Sequence, residues 1–147
     1  MADFDPDPQR EAIIAEARRW IGTPFHHQAG TLGAGTDCLG LIRGIWRALY
    51  GAEPETVPPY ATDWAEATGR ETLLEAARRN LAEQPIAQLQ PGDVLLFRLK
   101  PGGPARHCAI LSSADQMIHA WSGYAVAEVP FDPVWQRRLS HVFRFPE

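Results

Sequence analysis

A chain of 147 residues, 45% hydrophobic and 22% charged, has the size and balance of one globular domain around one core, taken as residues 1–147. A formal net charge of -4 argues against a nucleic-acid binder, which needs a basic surface to displace counterions. No apolar run approaches the about 20 residues that span a bilayer, so membrane insertion is not expected.

The N-terminus, MADFDPDPQR, has neither the basic start nor the apolar stretch of a secretory signal, so synthesis and folding in a reducing cytosol are expected. Two cysteines, Cys38 and Cys108, cannot build a disulfide framework and read as free thiols, one reactive and one buried. Asp7–Pro8 reads as a helix start, a capping side chain followed by a residue with φ preset. Ile13, Ile14, Ala17, Trp20 and Ile21 mark an apolar face, and Gly22 suits a stop. The stretch from Thr23 to Asp37 contains Gly30, Gly33 and Gly35, so its backbone can come close to a ligand. A second helix is predicted from Cys38 to Gly51, with Thr36 or Asp37 as its cap. Gly51 to Gly69 forms a long connection, a candidate docking surface. A third helix follows, with Leu73, Leu74, Ala77 and Leu81 on one side.

The second half reads as a strand meander. Pro91–Gly92 suits the centre of a type II turn. DVLLFRL, HCAILSS, QMIHAW, AVAEVPF and HVFRF then give about five strands. Helices first and an antiparallel sheet after them indicate an α+β fold.

Cys38 at the first turn of a helix sits where unpaired N–H groups and the helix dipole favour a thiolate. Its own N–H is placed to meet a developing oxyanion. The alternative is a small buried residue at a helix start. A thiol nucleophile needs a partner that takes its proton and returns one to the leaving amine. His107 opens one strand and His119 lies on the next. With a two-residue loop at Ala114–Asp115, Ile110 faces His119 and the imidazoles point to opposite faces. With a three-residue loop or a bulge, Ala109 faces His119 and the two share a face as diagonal neighbours. The chemistry requires the second register. Alternation puts Cys108 on the face opposite His107, as a core residue. The five histidines and two cysteines show no C-x-x-C or H-x-x-x-H spacing, so no metal site and no cofactor are expected.

These residues, in this order, resemble the NlpC-type cell-wall peptidases, a papain-like family. The resemblance rests on TDCLGLIRGIW, LQPGDVLLF and HCAILSSADQMIHAW, and covers roughly Trp20 to Trp121. It implies N-terminal helices packed on the sheet, Cys38 as nucleophile, His107 as base and acid, and His119 as the orienting third member. It implies a peptidoglycan stem peptide as substrate. WIGTPFHHQ, VPPYATDW and WQRRLSHVFRFP also resemble the tail-associated subgroup of phages and gene transfer agents, which implies tail-tip or baseplate partners and action at the cell wall. Many relatives have Tyr where this chain has Phe25, which cannot donate a hydrogen bond. Gln28, His26 and His27 are then candidates for the second oxyanion donor, with Gln28 favoured. Asp37 beside the nucleophile and Trp121 beside His119 complete the expected substrate-binding set. Tyr60, Trp64 and Trp135 could line the groove, and Arg43 and Arg106 could supply charge. The alternative function is a tail-tip docking subunit with little hydrolase activity.

Overall fold

The computed structural model describes residues 7–57 and 70–147, and the chain enters its first helix at the expected signal. Asp7 accepts hydrogen bonds from the N–H groups of Gln9 (3.1 Å) and Arg10 (3.3 Å), and Pro8 opens helix α1, Pro8–Arg19. Ile13, Ala17 and Trp20 face the core, while Ile21 is exposed. Strands β1 (Gly30–Thr31) and β2 (Gly35–Thr36) form a short hairpin inside the glycine-rich stretch. Helix α2, Cys38–Tyr50, is capped by Asp37 and stops at Gly51, whose φ of 88° is a left-handed conformation that glycine adopts without strain. Helix α3, Thr72–Asn80, buries Leu73, Leu74 and Ala77.

The strands are β3 (Ala82–Gln84), β4 (Val94–Arg98), β5 (Ala105–Ser113), β6 (Gln116–His119), β7 (Ala127–Pro130) and β8 (Leu139–Arg144). They form one antiparallel sheet in the order β3-β8-β4-β5-β6-β7. The sheet therefore has six strands among the described residues, not the five expected. The addition is β3, whose sequence AEQ has no β-branched or aromatic residue and no apolar alternation to announce it. It pairs because α3 ends beside β8, setting Ala82 opposite Arg144. A short helix α4, Pro133–Arg138, was also not expected. Asp132 caps it by accepting the Trp135 N–H at 3.0 Å, repeating the Asp-Pro signal of α1.

Both faces of the sheet are covered. Val94, Leu96, Cys108, Ile110, Ile118 and Phe143 pack under α1, α2 and α3. Leu95, Phe97, Ala109, Leu111, Met117 and Val142 form a second layer with Phe131 and Trp135. That double burial explains the unbroken apolar run VLLF in β4. The Pro91–Gly92 turn has Gly92 at φ 97° and closes with Asp93 N–H donating to the Gln90 carbonyl at 3.1 Å, as a type II turn requires.

An ion pair joins α1 to this turn. Arg10 Nη1 meets Asp93 Oδ1 at 2.7 Å, with the two residues only 6% and 0% exposed. Arg10 also donates to the Pro91 carbonyl at 3.1 Å, and Asp93 accepts from the Gln90 N–H at 2.9 Å. Among the described residues, no helix is long and apolar enough to cross a membrane. Tyr60 and Trp64, most of VPPYATDW and the second half of the Gly51–Gly69 connection lie outside the described residues.

Candidate active site

The nucleophile candidate is placed by the cap of α2. Asp37 Oδ1 accepts the Gly40 N–H at 2.8 Å, and its Oδ2 accepts the Gln28 N–H at 2.8 Å. One carboxylate thus ties the helix entrance to the preceding loop. Gln28 holds a left-handed backbone, φ 65°, unusual for a residue with a side chain. Gly40 is required by packing, because a Cβ there would lie 1.9 Å from the Ala29 carbonyl oxygen. Phe25 bridges to Thr36 and packs against the same core cluster as Cys38. Cys38, partly exposed, occupies the first position of the helix, where dipole and free N–H groups favour an anion.

The histidines meet on the sheet through two irregularities. Strand β5 takes an extra residue, Arg106, between the pairs Arg98↔Ala105 and Phe97↔His107. Beyond it, Ser113 pairs Gln116 across a two-residue loop, but Leu111 pairs Met117 and Ile110 pairs Ile118. The shift is a bulge at Ser112, and it sets Ala109 opposite His119. His107 and His119 therefore share a face, as the bulged register requires. His107 Nε2 lies 2.9 Å from His119 Nδ1, and the two residues are 4% and 6% exposed.

Aromatic rings enclose this pair. Trp121 stands 4.9 Å from His107 and 6.0 Å from His119 between ring centroids. Trp135, carried by α4, stands 5.4 Å from each. Phe97 lies 5.8 Å from His107 on the inner side. Burial, together with the charge of His107, lowers the pKa of His119 to about 3, so this ring is neutral in the folded protein at ordinary pH.

That shift has a consequence for stability with a definite sign. The unfolded chain takes up a proton at His119 below the ordinary value of 6.5, whereas the folded chain refuses it until about 3. The contribution is complete above 6.5 and is lost as pH falls toward 3. Between pH 7 and pH 4.5 the wild type is expected to lose about 2–3 kcal/mol more than His119→Gln does, as read by urea unfolding. Equal losses in the two proteins would refute the shift.

The Cys38 thiol is held well below the ordinary cysteine range. The largest cause is a side-chain hydrogen bond from Cys108; burial opposes it, and His107 adds a hydrogen bond and its charge. The Asp37 carboxylate works in the opposite direction. Cys108 is pushed well above its ordinary value by that same hydrogen bond, by burial and by the neighbouring thiolate. The two shifts are coupled, Cys38 moving down and Cys108 up.

Sequence reasoning missed the role of Cys108 as a neighbour of the nucleophile. Alternation does put it opposite His107, but that is the face on which α2 packs. Strand β6 ends at His119, so β5 lacks a β6 partner at His107 and Cys108. The entrance of α2 reaches both residues there. Cys38, His107, His119 and Trp121 are thus brought together, with Asp37 beneath the helix entrance. Gln28 lines a separate cavity of about 670 Å³ with Trp20, Ala29, Arg43 and Arg47, and none of the thiol or imidazole groups lines it. Arg43 is engaged by Glu53, its Nη2 donating to Oε2 at 3.2 Å.

Comparison with known proteins identifies relatives of this chain. The probable endopeptidase NlpC of Escherichia coli (strain K12) is 26% identical over 125 residues, covering 84% of this chain and 70% of that protein. The gamma-DL-glutamyl hydrolase of Bacillus subtilis (strain 168) is 22% identical over 142 residues, covering 96% of this chain but 30% of that protein. Among solved structures, a family protein of Bacillus cereus superposes with TM-score 0.68 at 22% identity, over 95% of this chain and 41% of that one. The NlpC/p60 domain of the peptidoglycan hydrolase SagA gives TM-score 0.62 at 23% identity, over 92% and 98%. These superpositions share the papain-like α+β fold. The NlpC/P60 family profile matches residues 22–144, so a thiol at a helix entrance beside paired imidazoles on a bulged hairpin stands here in a chain that belongs to the NlpC/P60 family.

Proposed function

We propose that this chain is a cysteine peptidase that hydrolyses peptide bonds in the peptidoglycan stem. The observation that carries the reading is the His107 ring, whose Nε2 lies 2.9 Å from His119 Nδ1 and which also helps hold the Cys38 thiol below its ordinary range. A neutral His119 is able to accept the Nε2–H of His107 on its Nδ1, and this is the tautomer the mechanism uses. That bond leaves the other His107 nitrogen to receive the thiol proton. The Cys38 thiolate attacks the stem carbonyl, and the Cys38 N–H at the helix entrance stabilises the oxyanion. His107 protonates the leaving amine and then activates water against the thioester. Trp121 and Trp135 wall the imidazoles from bulk water, which strengthens each of these polar contacts.

The relatives support the substrate class: one is described as an endopeptidase, another as a gamma-DL-glutamyl hydrolase, and the SagA domain belongs to a peptidoglycan hydrolase. Purified muropeptides incubated with the protein are expected to give two fragments whose masses sum to the substrate plus one water. Intact muropeptides after long incubation with folded protein would overturn the enzymatic reading and favour a docking subunit, the reading that Phe25 keeps open.

The finer proposal is delivery on a phage-like tail tip. The stretches WIGTPFHHQ and WQRRLSHVFRFP support it by resemblance, and the second of them builds α4 and β8. The protein is expected to copurify with assembled tail particles through a density gradient. Its recovery only as free protein would count against that placement.

A further inference from the structure

We propose that the cavity between the end of α1, strand β1 and α2 is a second, non-catalytic binding site that takes a short peptide by its C-terminal carboxylate. Its volume of about 670 Å³ falls within the about 300–1,000 Å³ typical of small-ligand sites. None of Cys38, His107 and His119 lines it, so the hydrolytic mechanism gives it no task.

One wall carries an excess of positive charge. Arg43 and Arg47 both line the cavity and share a single carboxylate. Arg43 Nη2 donates to Glu53 Oε2 at 3.2 Å, and Arg47 Nη1 donates to the same oxygen at 3.0 Å. Two guanidiniums thus meet one counter-charge. Glu16, the acidic residue of the lining, is neutralised separately, accepting from Arg19 Nη1 at 3.1 and 2.9 Å. One positive charge is left over on a chain whose net charge is -4. A guanidinium fork matches a carboxylate through two parallel hydrogen bonds.

The floor supplies the second observation. A Cβ at Gly44 would lie 2.0 Å from Trp20 Cζ2 and 2.9 Å from Cε2, so α2 accepts the indole only because this side chain is absent. Nε1 is bonded to Cε2, which puts the indole N–H on the ring edge that meets α2 beside Arg43. Trp20 is 2% exposed, and its N–H has no hydrogen-bond partner among the described residues. A buried donor left unmade costs free energy, and an acceptor on a seated ligand removes that cost.

Size and lining narrow the ligand class. A bare oxyanion leaves most of the volume unfilled. The indole, Ala29 and Leu32 offer apolar surface beside the Gln28 carboxamide. The ligand that matches is a carboxylate on a short body of amides and small apolar groups, which describes a peptide end.

The test is binding by the full chain, read without turnover, so it is independent of whether the protein cuts peptidoglycan. The probes are acetyl-alanyl-alanine in its L,L and D,D forms, the C-terminal amides of both, and inorganic phosphate. Calorimetry gives the affinities, and the indole ¹H–¹⁵N signals report the place, with Trp20 assigned from Trp20→Phe. At least one free-carboxylate peptide is expected to bind at least tenfold more tightly than its amide and to move the Trp20 signal. Preference for the D,D form points to wall-derived ends, and for the L,L form to protein ends; either supports the site. Arg43→Gln and Arg47→Gln should each weaken binding at least fivefold. Glu53→Gln should strengthen it at least threefold, a gain that damage to the fold does not produce. Equal binding of peptide and amide, phosphate binding as tight as the peptide, or a Trp20 signal that stays in place would overturn the proposal.

Discussion

Cys38→Ala is expected to lower the rate of muropeptide cleavage by at least about 10⁴-fold, and His107→Ala by a comparable factor, because nucleophile and base act as one unit. The double replacement should fall little further, and that non-additivity is the signature of the unit. His119→Ala is expected to cost less, on the order of 10–100-fold, as for other orienting partners one bond removed from the chemistry. A neutral ring steadies the developing imidazolium only as a dipole, unlike the carboxylate that often fills this position. His119→Gln should keep more activity than His119→Ala, since an amide oxygen still accepts from His107. Initial rates on one purified muropeptide decide the order. Equal losses at His107 and His119 would show that the second ring does more than orient the first.

Asp93→Ala is expected to destabilise the fold by about 3 kcal/mol, because it takes the nearer carboxylate from the buried Arg10 guanidinium and leaves it only the partly exposed Asp7, 3.5 Å from Nε. The carboxyl itself sits above its ordinary value; burial outweighs the N–H of Gln90 and the guanidinium that favour its ionised form. The pair therefore costs desolvation while it fixes geometry. Replacing both partners, as in Arg10→Met with Asp93→Leu, is expected to cost less than Asp93→Ala alone. Urea unfolding of the three proteins and wild type measures the coupling. A loss under 1 kcal/mol for Asp93→Ala would show that water reaches Arg10.

Most of the helical half was readable because its signals are local. Asp7–Pro8, Asp37 before Cys38 and glycine at 51 are caps whose physics acts within one turn. The five expected strands were readable because apolar runs bounded by turn residues mark them. What escaped depends on packing between distant segments. AEQ becomes β3 because of where β8 lies, and Cys108 meets Cys38 because α2 lies across β5. The bulge at Ser112 was reached only through the chemistry, as a condition for the imidazoles to meet. Helix α4 is different: Asp132–Pro133 carries the same signal as Asp7–Pro8 and was legible. It went unread because six residues fit easily inside a connection between strands.

The position of β8 bears on how the chain is made. This strand is the last in sequence, yet it lies between β3 and β4. A ribosome-held chain lacking residues 139–144 leaves β4 bare along one edge and β3 with nothing to pair. The core beneath the sheet also lacks Phe143 until then. Residues 139–144 must emerge before the imidazole-bearing hairpin gains its final support. Folding is therefore governed by contacts far apart along the chain, which slows it relative to helical domains of similar size.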